Sequence, residues 1–399
     1  MLFVAIALAL LIVYLVQARI FNKHAFDRLR YRVTLSAEEV FVDEDIFMYE
    51  ELSNEKNLPI PNLKVDTELP EGLKFRLHNR EKATKKTSAD QYRQNIQSIF
   101  VLGSNKQVRR RWRVTCQKRG SYHIGSVLMV ANDLLGFNAQ SKRCEVAPGK
   151  HNQIVVLPKA IDLDEHFTSS YTLNGDVLVP HSLLTDPLRL CGTRDYTPYD
   201  PMNRINWKST ASHGRLMVNV EEYSQRHQFN IVMNMQSRDI ELHPETPSAP
   251  EFVEMCITVC ASIIDRVSPE NIPIRIFANT PPASVGEMAA GEDEIGEQIL
   301  MTRAFQGKRD MIAALRLLAA LEMKISCPIE KMLDHIAAHA YSYANGSNII
   351  VISPYISERM IIFHDMLERQ GIKVIFYVTT TNQNAWNIPK NVEVYYHAY

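Results

Sequence analysis

Cysteine is scarce and scattered: six in 399 residues, none spaced as Cys-x-x-Cys. That excludes a disulfide framework and a zinc module and fits a reducing compartment. An excess of either charge is also missing, with 44 Lys and Arg against 45 Asp and Glu. A protein that coats nucleic acid needs a basic surplus, so no nucleic acid is expected as a partner. Glycine builds no phosphate-cradling turn. Gly307-Lys308 is followed by Arg309, and Thr302 stands where a P-loop needs its first Gly. Neither a Gly-x-Ser-x-Gly elbow nor a Gly-x-Gly-x-x-Gly turn occurs. No cofactor and no enzyme class is indicated by these motifs.

Charge is absent altogether from residues 1–16. As a helix they span roughly 24 Å at about 1.5 Å per residue. Adding residues 17–21, with Arg19 turned to the headgroups, brings the length to roughly the 30 Å of a bilayer's hydrocarbon. A signal peptide places its cations before the apolar run, whereas here Arg19, Lys23, Arg28, Arg30 and Arg32 follow it against Asp27 alone. A buried core helix is the other alternative. The sequence therefore predicts a single-pass anchor over residues 1–21, touching membrane lipid, with the bulk of the chain cytoplasmic.

From Tyr31 the pattern is β. Apolar and polar residues alternate over 32–42, 45–52, 109–115 and 122–130, and turn formers interrupt at Asn57-Leu58-Pro59, Pro70-Glu71-Gly72 and Pro148-Gly149. This predicts an antiparallel sandwich over residues 31–158, with 81–93 as an exposed hairpin loop. Residues 159–226 are patterned less regularly and read as a linker. From Phe229 the period changes. Strands are predicted over 229–235, 272–278, 348–353, 373–379 and 392–396, and helices over 249–267, 308–323, 329–343 and 357–370. Gly371 sits where a helix C-cap is wanted. Such alternation implies a doubly wound parallel sheet over residues 227–399, with ligand positions after Met235, Ala278 and Ser353. The expected fold class is α+β multidomain: a membrane helix, a β-sandwich and a doubly wound α/β domain.

His335 and His339 lie one helical turn apart, but Ile336 stands where a zinc protease has its Glu, so a polar helix face is expected. Cys256 and Cys260 share a helix side with Val259 and Ile263 and read as core thiols. In the run Arg109-Arg110-Arg111-Trp112-Arg113, a strand turns Arg109, Arg111 and Arg113 to one face and Arg110 and Trp112 to the other. A solvated, salt-bridged face is the plain reading; anionic lipid or a nucleic-acid backbone is the other. The densest constellation covers residues 191–212. It holds Arg194, Arg204 and Lys208, the acids Asp195 and Asp200, and the aromatics Tyr196 and Trp207. Gly192, Pro198 and Pro201 precede a helical segment over 204–212, with Asp200 as its cap. A buried ion-pair knot, a partner-binding site and a small-anion or catalytic site are the three readings.

The same segment carries a family resemblance. Gly192, Arg194, Tyr196, Pro198, Asp200, Arg204, Ile205, Asn206, Trp207, Lys208 and Ala211 match a pattern similar to Gly-x-Arg-x-Tyr-x-x-Gly-Asp-x-x-Arg-x-Ile-Asp/Asn-Trp-x-x-x-Ala-Arg. It resembles the signature of the bacterial family called domain of unknown function fifty-eight. Arg119-Gly120-Ser121-Tyr122 and Asn132-Asp133-Leu134-Leu135-Gly136-Phe137 look like two further turns of that family. Tyr199 replaces the motif's Gly, Ser212 its Arg, and one apolar N-terminal segment stands where many members have two. The resemblance implies a von Willebrand factor A-like fold for the α/β half. It also implies a membrane-anchored cytoplasmic protein that works beside a MoxR-type AAA+ ATPase, and no catalytic residue.

An A-type fold sometimes holds a divalent cation through Asp-x-Ser-x-Ser after its first strand. Here those positions are Asn234, Gln236 and Arg238, and Ser353-Pro354 offers no Asp. Hard cations need oxygen ligands, usually carboxylates, so no metal is expected there. The expected function is a non-enzymatic scaffold or adaptor in protein or complex maturation, with the ATPase and other membrane-associated proteins as partners. The alternative is an anion-binding or enzymatic module centred on Arg194, Asp200, Arg204 and Lys208.

Overall fold

The computed structural model describes residues 2–76, 92–93, 95–133, 138–145, 149, 151–163, 186–197, 202, 205–222, 228–270, 272–281, 298–340, 348–380 and 388–396. They fall into two units, residues 1–159 with 315–321 and residues 160–314 with 322–399. Most of the expected loop 81–93 lies outside the described residues.

The first unit begins with helix α1 (Leu2–His24) and continues as strands β1 (Leu29–Leu35), β2 (Glu39–Phe41), β3 (Asp45–Asn54), β4 (Ile60–Glu68), β5 (Leu73–Arg76), β6 (Tyr92–Arg93), β7 (Asn95–Leu102), β8 (Lys106–Cys116), β9 (Gly120–His123), β10 (Ser126–Asn132), β11 (Ala139–Glu145) and β12 (Gln153–Leu157). The sheets β1-β3-β8-β5-β6 and β11-β10-β4-β7 are antiparallel. Met48, Phe75 and Val114 of one sheet and Leu63, Phe100 and Met129 of the other share one core, joined by Ile154 and Val156 of the small sheet β2-β12-β9. Alternation is strict along β3: every second residue from Ile46 to Asn54 is buried. This is the period of 2 that a half-solvated sheet imposes.

One of those inward positions is a carboxylate. Glu50 is fully buried and accepts hydrogen bonds from Tyr31 Oη of β1 at 3.0 Å, Thr67 Oγ1 of β4 at 2.6 Å and Trp112 Nε1 of β8 at 2.6 Å. Buried acidic groups persist only when hydrogen-bonded. The three donors come from both sheets, so this carboxylate ties the layers together. Burial, reinforced by Glu50, holds the Tyr31 hydroxyl far above its ordinary range and keeps it a donor.

The membrane helix of the sequence reading is corrected. Among the described residues, no helix is long and apolar enough to cross a membrane. Spanning required residues 17–21, and the structure uses that end of α1 for protein contacts. Phe21, and Ala25 just beyond the helix, are buried in the sandwich core. Gln140 Nε2 donates to Asn22 Oδ1 at 3.1 Å, and Asn138 Nδ2 to Tyr14 Oη at 3.3 Å. Lys56 Nζ meets the carbonyls of His24 and Ala25, where the helix dipole favours a cation. Single-pass anchoring through residues 1–21 does not fit this arrangement.

In the second unit, β13 (Asp186–Asp195) pairs antiparallel with β14 (Met217–Glu222), and the short helix α2 (Trp207–His213) lies between them in sequence. The expected linker thus carries a ladder of its own. Beyond it in the chain come β15 (Phe229–Met233), α3 (Pro250–Val267), β16 (Ile274–Ala278), β17 (Leu300–Met301), α4 (Gly307–Ala320, whose residues from 315 on belong to the first unit), α5 (Ile329–Ala338), β18 (Asn348–Ser353), α6 (Glu358–Glu368), β19 (Val374–Val378) and β20 (Glu393–Tyr396). The sheet order is β17-β16-β15-β18-β19-β20, parallel except at the β17 edge. Helix α3 contacts β15 and β18. Val232, Val351 and Phe376, on one face of the sheet, share a core with Met332 and Ile336 of α5 and Met360 and Phe363 of α6. Both faces are covered, which is why β15 and β19 are buried throughout. Gly371 follows α6 at φ +76°, the left-handed stop its position predicts.

Glu50→Ala leaves three donors, two of them buried, without their acceptor. We expect it to lower unfolding stability by about 3–5 kcal/mol, measured by urea denaturation, whereas Glu50→Gln, which keeps one acceptor oxygen, costs less.

Candidate functional site

In a doubly wound sheet, ligands meet the C-terminal strand ends where the strand order reverses. Here that point lies between β15 and β18. The chain leaves β15 through Asn234, Met235, Gln236 and Ser237, all buried. Asn234 Nδ2 donates to Ser353 Oγ at 3.0 Å, and its Oδ1 accepts the Gln236 amide at 3.0 Å. Gln236 Oε1 accepts the Ile329 amide at 2.7 Å and the Asn279 side chain at 3.4 Å. Asn279 closes the network: its Oδ1 takes the Met235 amide at 2.7 Å and its Nδ2 reaches the Cys327 carbonyl at 3.0 Å.

These residues do not fit a divalent cation. Both amide carbonyls, at Asn234 and Gln236, already accept backbone N–H groups, and no carboxylate belongs to the network. Arg238 is exposed, and only its backbone amide joins the loop, donating to Glu241 Oε1 at 3.2 Å. Glu241, which the sequence reading passed over, organises residues 237–248. Its carboxylate accepts from Ser237 N and Oγ and, at 2.7 Å, from Ser248 N. Burial acts to raise its pKa, but the hydrogen bonds from Ser248 and Ser237 outweigh burial and hold it below the ordinary value. Ile240 and Leu242, on either side of this pinned residue, are 84% and 80% exposed.

The signature motif is described in part. Pro198, Asp200 and Arg204 lie outside the described residues. In the remainder, Gly192 pairs with Val220 and Arg194 with Val218 across the β13–β14 ladder. Asn206, not Asp200, caps the helix: its Oδ1 accepts the Ser209 amide at 3.0 Å, and its own N–H donates to the Met217 carbonyl at 2.8 Å. Tyr196 is half-buried, with its amide on the Leu216 carbonyl at 2.9 Å. Ile205, Met217 and Val218 are buried. The described charges lie outside: Arg194, Asp195, Lys208 and Arg215 are exposed, with Arg215 on Asp195 at 3.0 Å. Trp207 is 68% exposed on the same short helix.

The remaining candidates lie along helices α3, α5 and α6. Cys256 and Cys260 are buried on α3, and burial pushes the Cys256 thiol up to about 12 and raises Cys260 as well, so neither supplies a thiolate. His339 Nδ1 lies 3.0 Å from the His335 carbonyl, and the two rings lean together on the helix surface. His364, Asp365 and Glu368 gather on α6, with Glu368 also taking a hydrogen bond from Asn391 at 3.2 Å.

The chain matches no family model and no curated protein. Among solved structures it is similar to an Escherichia coli alpha-2-macroglobulin spanning domain MG7 to the C-terminus (11% identity, 33% of this chain, 23% of that one, TM-score 0.23). It is similar also to Salmonella alpha-2-macroglobulin reacted with methylamine (12% identity, 33% and 9% covered, TM-score 0.23). A third is the CARDB domain of a Pyrococcus furiosus protein with di-metal ions (12% identity, 33% and 96% covered, TM-score 0.18). The chain spans less than a quarter of the length of the two macroglobulins. At these scores none of the three bears on fold or function.

Two outcomes follow from this geometry. A carboxylate whose folded pKa is depressed contributes stability above its unfolded value of about 4.3 and loses it as pH falls through the folded value. The protection factors of the Arg238 and Ser248 amides, corrected for the intrinsic exchange rate at each pH, should therefore fall below about pH 4.3, and Glu241→Gln should loosen the loop by about 1 kcal/mol at neutral pH while flattening that pH response. Calorimetry with Mg²⁺ or Mn²⁺ should register no micromolar binding; heat that disappears in Asn234→Ala would overturn the reading of a metal-free network.

Proposed function

We propose that this chain is a non-enzymatic scaffold or adaptor that works with a MoxR-type AAA+ ATPase in maturing other proteins or complexes. The observation that carries this reading is the switch-point end of the second unit. Its buried amides are spent on one another, while the loop pinned by Glu241 holds Ile240 and Leu242 out to solvent. A rigid loop bearing unpartnered aliphatic side chains suits a protein partner better than a small polar substrate. Trp207, exposed on α2, adds an aromatic anchor of the kind that dominates protein interfaces. The resemblance of the 192–211 motif to domain of unknown function fifty-eight supplies the ATPase as the partner, and the strand order around β15 accords with a degenerate von Willebrand factor A-like domain. Free thiols at Cys116, Cys144, Cys256, Cys260 and Cys327 support a reducing compartment, hence the cytoplasm.

Affinity capture of a MoxR-type AAA+ ATPase by the full chain tests this. Ile240→Asp combined with Leu242→Asp should weaken capture at least tenfold, about 1.4 kcal/mol, with the denaturation midpoint unchanged because both side chains are exposed; Trp207→Ala should weaken it less. Repeated failure of the unmodified protein to retain the ATPase sinks the proposal.

A further inference from the structure

The arginine run of β8 becomes, in the folded sheet, an ordered cationic face. Arg109, Arg111 and Arg113 all point to the solvent side of β1-β3-β8-β5-β6. On β3 the outward residues Phe47, Tyr49 and Glu51 stand opposite them, paired in register with Arg113, Arg111 and Arg109. The guanidinium groups lie over the rings: Arg109 is 4.3 Å from the Tyr49 centroid, and Arg111 and Arg113 are 4.8 Å and 5.8 Å from that of Phe47. Two carboxylates lie beside the β8 arginines and both are engaged. Glu51 holds Arg109 at 3.2 Å, and Asp45 takes Arg76 at 2.6 Å with Arg113 at 3.9 Å. Among the described residues, Arg111 and the exposed Arg32 of the neighbouring strand have no carboxylate within 4.0 Å.

We propose that this face binds an extended acidic segment of a partner protein, with Asp or Glu at every second residue. Three features set that chemistry. Stacking on Phe47 and Tyr49 fixes the arginine side chains before any ligand arrives, so less conformational entropy is lost on binding, and their planar forks match carboxylates. Residues on one face of a strand recur about every 6.6 Å. An extended peptide repeats at the same interval, so alternate carboxylates fall on successive arginines. The surface is less suited to single-stranded nucleic acid, whose bases stack on free ring faces. Guanidinium groups already cap both rings here, and the chain's net charge of -1 lacks the surplus that such binders carry.

This inference does not rest on the ATPase reading, and its test leaves the ATPase out. Fluorescence anisotropy with the full chain compares a twelve-residue peptide alternating Glu and Thr, a peptide of the same composition in Glu-Glu-Thr-Thr blocks, an alternating Lys-Thr peptide and a twelve-nucleotide thymidine strand. The alternating acidic peptide should bind most tightly, at least threefold better than the block peptide, and weaken as salt rises. Arg111→Gln should cost about tenfold in affinity and Arg111→Lys part of that, with denaturation midpoints unchanged because the side chain is exposed. Equal binding of the alternating and block peptides, tighter binding of the thymidine strand, or full affinity in Arg111→Gln would each overturn the proposal.

Discussion

The carboxylate of Glu50 is the constraint around which the first unit is arranged. A strand that shifts by one residue turns its whole inner set outward, and for β3 such a slip would expose Met48 and Leu52 and bury Phe47, Tyr49 and Glu51. The donors Tyr31, Thr67 and Trp112 recognise one register of β3 against β1, β4 and β8. Apolar burial alone specifies this less sharply, since Phe47 and Tyr49 are themselves large enough to fill a core. The cation-bearing outer face is thus a consequence of what Glu50 does on the inner one.

The second unit settles a similar problem with amides in place of charge. A parallel sheet delivers backbone N–H groups and polar side chains to one end, where they need partners. Asn234, Gln236 and Asn279 supply both donors and acceptors, so the strand ends are satisfied without an ion. An amide offers both roles within one side chain, whereas a carboxylate only accepts. With amides at 234, 236 and 279, that end of the sheet holds its own loops together.

Much of this was legible in the sequence, for identifiable reasons. The strand over 348–353 and the Gly371 stop follow from apolar run length and glycine's tolerance of positive φ, both local properties. The residues after Met235, Ala278 and Ser353 fall at the C-terminal strand ends, as the order of strands and helices predicts, and Asn279 directly follows one of those strands. Glu241 and Arg215 escaped notice because their roles depend on which segments meet in space: the Arg215 partner is Asp195, across a ladder that the pattern of residues 159–226 did not announce. The helix cap was misplaced for a related reason. Pro201 after Asp200 is a strong local start signal, yet tertiary pairing of Asn206 with Met217 sets the helix boundary later. The N-terminus misled most. Hydropathy marks the apolar run of residues 1–16, whereas the contacts with the core gather at Phe21 and Ala25, beyond that run.

That last point alters how the N-terminal helix is to be regarded. With Phe21 and Ala25 counted among the core and Lys56 fastened to the carbonyls of His24 and Ala25, the C-terminal end of α1 is built into the sandwich, while Phe3, Leu8, Val13 and Leu15 nearer its start stay exposed. Trimming the chain to begin at Arg30, a natural choice for anyone seeking a tractable fragment, removes an aromatic side chain from the interior and leaves the Lys56 ammonium group without its two acceptors. The shortened protein would carry a wound in its first unit, and a loss of binding or solubility in it would report on that wound before it reported on any partner.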